Sequence, residues 1–339
     1  MAAKVKAAVL PVRVENLGSP AGAKLDFSRE KLWARMDAPM GKKAVEVPVY
    51  LVNPNQMDVL YPPERLRFLD PKAVHRWAQR MREQEGRGEG EERPPLWGLE
   101  GLPSEAYREV VAVGLYVPEL YDDQRKARVL QLAQGEAPGA GAFQREEGPA
   151  IFLCPERILA WAGRAGMDPH LVQDKVYYHE LSHALMDTGP TPYGELWGRI
   201  VEESLANWVA VGRFRGLEAR QVQRLILDQP AEYQGYAALE DLLPEPLLAW
   251  EEPWWEEFWW RLRHRVRPFF WEEWRDLLRW AHRRGLPLWP LFPWQADGGL
   301  GRLIYRWWRE AKRREAFRDG DVAQAWARYA EALLLRALE

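Results

Sequence analysis

Residues 179–183 read His-Glu-Leu-Ser-His, and the spacing of the two histidines meets a chemical demand. On an α-helix, residues i and i+4 lie on one face, one turn apart. His179 and His183 can therefore aim two imidazole nitrogens at one metal ion. Glu180 stands beside the first of them, where its carboxylate can take a proton from a water on that ion. The ion expected of this donor pattern is a single Zn2+. The chain of 339 residues holds only 6 histidines, and two of them are here.

A helix has to carry this motif. Asp168 suits an N-cap and Pro169 the first helical position. Leu171, Val172, Val176, Leu181, Ala184 and Leu185 recur at helical spacing, and Gly189-Pro190 is a stop. The pattern predicts a helix of about twenty residues, packed on one side, as a rigid mount for metal ligands.

Two histidines do not complete a catalytic zinc site, which takes three protein ligands and leaves the fourth position to water. Residues 196–214 (LWGRIVEESLANWVAVGRF) read as a second helix. It carries Glu202 and Glu203 on adjacent positions, about 100° apart around its axis, so only one can face the first helix. Glu203 sits better among the apolar residues Ile200, Leu205, Trp208 and Val209, and Glu202 stays open as the alternative. This helix offers no histidine.

Here the chain resembles the gluzincin superfamily, the thermolysin-like zinc peptidases and their bacterial relatives. The resemblance rests on residues 179–183 and on Glu203-Ser204-Leu205-Ala206-Asn207, and covers roughly residues 140–215. It implies a third ligand from a glutamate on the following helix and an alanine three residues later. It also implies a carboxylate or amide one turn on, supporting a ligating histidine. Glu203, Ala206 and Asn207 match these positions; Glu202 would place Leu205 and Ala206 there. The implied roles are therefore His179, His183 and Glu203 as ligands, Glu180 as general base, and Asn207 as a support behind the ligands. The metzincin pattern needs a third histidine soon after the motif, and residues 184–189 hold none.

The resemblance also implies a strand before the metal helix and an edge strand along the cleft, where an extended substrate pairs through its main chain. Residues 150–154 (AIFLC) are rich in strand formers and read equally well as a plain buried strand. Gly141-Ala142-Phe143 is the candidate for part of the edge. A tyrosine or histidine facing the oxyanion is implied as well. Tyr177, Tyr178, Tyr193, Tyr233, Tyr236 and His264 are in reach of that role, no local motif selects among them, and each reads first as a packing or surface residue. No Gly-x-Met-Glu-Asn exopeptidase motif precedes the site.

The surrounding elements divide unevenly. Residues 3–14 and 44–52 read as strands, 71–85 as a helix, and 86–95 (GRGEGEERPP) as a polar linker or exposed loop. Residues 110–117 are strand-like, 122–134 helical, and 134–148 a Gly/Ala/Glu-rich loop. From residue 217 the pattern is mainly helical, at about 218–228, 231–243, 254–266, 271–284 and 300–338, with Gly320-Asp321 splitting the last. The expectation is a helix-rich α+β fold. An N-terminal α+β region spans 1–85 and a linker 86–96. A zincin-like metal-binding core with a short sheet spans 97–216, and an α-helical, Trp-rich part 217–339.

Composition excludes several classes. Hydrophobic residues make up 47% of the chain, ample for a core, and the net charge of −3 gives no drive toward nucleic acid. The single cysteine, Cys154, argues against a disulfide framework and reads as a small buried hydrophobe. No secretory core or bilayer-length apolar run is visible, so a cytoplasmic protein without a membrane partner is expected. Ten lysines stand against 37 arginines, an Arg bias that suits a GC-rich genome and a thermophilic source. The chain has 19 tryptophans, many within 253–280. That stretch reads as two amphipathic helices burying aromatics. Five acids there weigh against a stacking face for single-stranded nucleic acid. Residues 298–301 lack the Lys-Ser/Thr of a phosphate loop.

The function expected from the sequence is a zinc-dependent metallohydrolase, a peptidase acting on a peptide or protein substrate. The alternative is a non-catalytic zinc-binding regulatory or interaction protein with a peptidase-like site.

Overall fold

A computed structural model describes residues 12–62, 67–85, 102, 104–118, 148–187, 191–244, 299–300, 302–303, 306–307 and 322–338. The expectations for 3–11, 86–95, 122–134, 141–143, 189–190, 253–280 and 320–321, and for His264, fall outside them. In chain order the elements are β1 (Val14–Asn16), α1 (Glu30–Ala34), α2 (Ala38–Glu46), β2 (Val49–Leu51), α3 (Pro54–Leu60), β3 (Arg67–Leu69), α4 (Pro71–Glu85), β4 (Tyr107–Glu109), β5 (Gly114–Val117), β6 (Ala150–Leu153), α5 (Pro155–Ala165), α6 (Pro169–Met186), α7 (Leu196–Val211), α8 (Gly216–Leu227) and α9 (Val322–Ala337). Short 3-10 runs stand at Gly22–Lys24, Ser104–Ala106 and Ala231–Ala238. The fold is the helix-rich α+β class that the sequence pattern implies.

The chain separates into two compact units. The first holds Met1–Leu66, Glu109–Leu185 and Ala210–Leu225. Its sheet has the order β1-β2-β6-β5, with β1, β2 and β6 parallel and β5 antiparallel to β6. Tyr50 of β2 pairs with Phe152 of β6, and Leu115 of β5 with the same Phe152 from the other side. β6 is thus an inner strand, fully buried on both faces, which is why 150–154 is continuously apolar rather than alternating. Leu17, Tyr50, Met57, Leu60, Phe152 and Cys154 form one core cluster. Burial pushes the Cys154 thiol up to about 11, so it stays protonated at neutral pH and serves as packing.

The strand expected over 44–52 begins only at Val49, because 44–46 complete α2. The Asp37 side chain accepts from Met40 N at 3.1 Å and Pro39 lies in the first turn, so this cap starts a helix that local valines cannot override. Asn53 and Gln56 form a capping box on α3, and Gln56 Nε2 donates to Leu17 O at 2.7 Å. α5 ends at Gly166, whose φ of 61° is the left-handed conformation that closes a helix.

α6 starts as its sequence dictates: Asp168 Oδ1 accepts from His170 N at 2.9 Å. It is not packed on one side, however. Every residue from 171 to 186 is buried. A helix buried all round must neutralise each polar group it carries, and α6 carries Gln173, Asp174, Lys175, His179, Glu180, Ser182 and His183.

The second unit holds Arg67–Arg108, Met186–Val209 and Ile226–Glu339. β3 pairs with β4 in a two-stranded sheet. α4 has the span its pattern predicts. Residues 231–238 form a 3-10 run where an α-helix over 231–243 is expected. The carbonyls of Glu232 and Tyr233 accept from Ser204 Oγ at 3.3 Å and Asn207 Nδ2 at 2.8 Å, so they are turned to side chains of α7. Gly235 sits there without room for a Cβ, which would lie 2.4 Å from Ser204 Oγ. Two tryptophans of this unit are core residues: Trp307 is buried with Nε1 donating to Leu239 O at 2.7 Å, and Trp326 is buried and stacks on Trp197. Among the described residues no helix is long and apolar enough to cross a membrane.

Candidate metal centre

The segment around α1 clamps α6. Asp174, with 1% of its side chain exposed, accepts from the guanidiniums of both Arg29 and Arg35. Burial holds the Asp174 carboxyl above the usual carboxylate range against the pull of those two cations. Arg35 also bonds Glu218 of α8 at 2.8 Å and lies over the Phe214 ring. The Gln173 amide spans the backbone of Asp26, accepting from its N at 3.2 Å and donating to its O at 2.9 Å. Tyr178 OH donates to Leu32 O at 2.6 Å, and Phe27 meets Tyr177 edge-on at 5.3 Å. These contacts give Tyr177 and Tyr178 structural work, and burial pushes both hydroxyls well above their ordinary range.

So held, α6 presents its motif. His179 and His183 are 4% and 8% exposed, and their Nε2 atoms lie 3.2 Å apart with the rings at 83°. Two nitrogens on one tetrahedral zinc, each at about 2.0–2.1 Å, stand about 3.3–3.4 Å apart. The imidazole pair is therefore close to the spacing a zinc ion needs.

Glu180 is 7% exposed and lies against Gly114 at the start of β5. A Cβ on residue 114 would fall 2.6 Å from Glu180 Oε1 and 2.7 Å from Val176 Cγ1. Only glycine lets this strand come so close to α6 and its carboxylate. β5 is the last strand of the described sheet. Sequence reasoning missed Gly114 entirely; an isolated glycine opening a strand-like run is the signal that marks such an approach.

On α7, Glu203 is 2% exposed and Glu202 8%. Tyr193 OH donates to Glu203 Oε1 at 2.5 Å. One turn from Glu203, Asn207 donates to Tyr233 O, and its Oδ1 accepts no hydrogen bond among the described residues. Glu232 is fully buried. Its two oxygens both lie 3.0 Å from Leu69 N, which donates to them, and Arg199 stands 3.7 Å away. Burial pushes the Glu232 carboxyl up to about 7; Arg199 and the Leu69 N–H oppose the shift, and the Glu203 charge adds to it.

His179, His183 and Glu203 form a buried group whose ligand atoms all lie within 4.8 Å of one another. Of the two adjacent glutamates left open by the sequence, Glu203 is the one in this group. Two imidazoles and one carboxylate are a donor set that zinc accepts, so the residues fit one metal ion. No other His, Cys, Asp or Glu joins the group among the described residues. The chain matches no protein family, no curated protein and no solved structure, so the functional reading stands on these residues and their geometry.

Proposed function

We propose that the chain is a zinc-dependent metallohydrolase, a gluzincin-like peptidase that cleaves peptide bonds with Glu180 as general base. The observation that carries this reading is the buried His179, His183 and Glu203 group with Glu180 beside the first histidine on the same helix. Three protein donors leave a tetrahedral ion one position for water. Zinc held there would supply Lewis acidity, lowering the pKa of water toward neutrality and polarising a carbonyl.

The remaining chemistry falls to the chain. Glu180 accepts the proton of the attacking water and passes it to the leaving amine nitrogen. Gly114 keeps β5 close against that carboxylate, and an extended peptide aligned along β5 would bring its scissile bond to Glu180. Asn207 is the candidate support for a ligating imidazole, since its Oδ1 remains an available acceptor.

A second reading, a non-catalytic zinc-binding regulatory or interaction protein, is favoured by one observation: His179, Glu180, His183 and Glu203 are all at most 8% exposed. Glu180→Gln separates the two. On a broad peptide library the zinc-loaded wild type cleaves, and the variant keeps its zinc while losing on the order of 100- to 10,000-fold in rate. Equal cleavage by both proteins removes Glu180 as the base. A zinc-loaded wild type that cleaves nothing supports the non-catalytic reading.

A further inference from the structure

We propose that Tyr193 is a positioning residue for Glu203, holding Oε1 so that the carboxylate offers Oε2 alone to the metal. This rests on the reading of His179, His183 and Glu203 as ligands of one ion. Tyr193 OH donates to Glu203 Oε1, and a phenol donating to a carboxylate makes a charge-assisted hydrogen bond. It lies where water competes little, since Glu203 is 2% exposed.

The tyrosine is presented by a fixed turn rather than a loose loop. Pro192 O accepts from Glu195 N at 2.9 Å, and Glu195 O accepts from Arg199 N at 3.0 Å, joining the turn to the start of α7. Gly198, in the first turn of α7, makes this possible: a Cβ there would lie 2.1 Å from Pro192 O. Residues 192–198 are thus packed backbone to backbone, and Tyr193 leaves that turn toward Glu203.

The consequence is a defined coordination number. A carboxylate with both oxygens available can chelate an ion and fill its fourth position. With Oε1 turned to the tyrosine, Oε2 is the oxygen presented to the ion, and with two imidazoles the donor count stays at three. Tyr193 in this role raises metal affinity by removing the carboxylate's rotational freedom, and it preserves the position for water.

The test is a double-mutant cycle on zinc affinity, read by competition with a chromophoric chelator and independent of any activity. Tyr193→Phe is expected to weaken zinc binding about 10- to 100-fold. In a Glu203→Ala background the same change is expected to have no further effect, because the group it orients is gone. Cobalt-loaded Tyr193→Phe is expected to show a visible absorption spectrum altered from wild type, reporting a changed coordination number. Affinity and cobalt spectrum indistinguishable from wild type overturn the proposal. So does an equal loss of affinity with and without Glu203, which marks Tyr193 as general packing. A wild type that binds no zinc overturns the metal site itself, a different failure from a zinc-binding wild type that ignores Tyr193.

Discussion

α6 carries two members of the metal group and α7 one, and a further buried acid stands on α6 itself, Asp174, and against α7, Glu232. Those two acids are neutralised in different ways. Asp174 on α6 meets two guanidiniums, Arg29 and Arg35. Glu232, bound through its own carbonyl to Ser204 of α7, has one arginine at 3.7 Å and the N–H of Leu69, and burial lifts its carboxyl to about 7. Burial raises both carboxyls; two guanidiniums in direct contact oppose it at Asp174, and one more distant arginine opposes it at Glu232. How closely cations face a buried carboxylate decides how far burial can move it toward its protonated form.

Removing Asp174 has the largest expected effect on stability. Asp174→Ala leaves two largely buried guanidiniums without their shared partner, and breaking such a pair costs about 3–5 kcal/mol. Urea unfolding of the metal-free protein should show this loss as a lower midpoint. A variant as stable as wild type would mean that the arginines contribute no net attraction to α6.

Glu232→Gln has the smaller effect. A carboxyl whose folded pKa is raised from 4.5 to about 7 binds its proton more tightly in the folded state. Its contribution is present below pH 4.5 and is lost as pH rises through 7. Glutamine has no proton to lose. The variant should therefore gain stability relative to wild type as pH rises across that window, by on the order of 2–3 kcal/mol. Unfolding curves for both proteins at several pH values measure this difference. A constant difference across the window would show that Glu232 stays ionised, held by Arg199 as firmly as Asp174 is held by its pair.

Much of the site was legible in the sequence because it is local. The i, i+4 pair, the Asp168-Pro169 start and the α4 pattern each lie within one helix, where spacing translates directly into position. The choice between Glu202 and Glu203 was not local, and it took the geometry of α7 to bring Glu203 into the group. Three-residue strands such as β1, β3 and β4 are too short to show alternation. The Asp37 cap outweighed the valines of 44–47, turning an expected strand into the end of α2. The clamp on Asp174 spans 145 and 139 residues of sequence, and no periodicity carries information over that distance. The same holds for Gly114 against Glu180, a contact visible only once a strand and a helix are placed together.

The proposed chemistry depends on His179, His183 and Glu203 holding one metal ion. Elemental analysis of dialysed protein tests it most directly, on wild type and on His183→Ala side by side. One zinc per chain is expected in wild type and loss of that zinc in the variant, since each ligand of such a site contributes about 3 kcal/mol, roughly a hundredfold in affinity. Wild-type protein without metal after zinc loading, or His183→Ala retaining stoichiometric zinc, would contradict it.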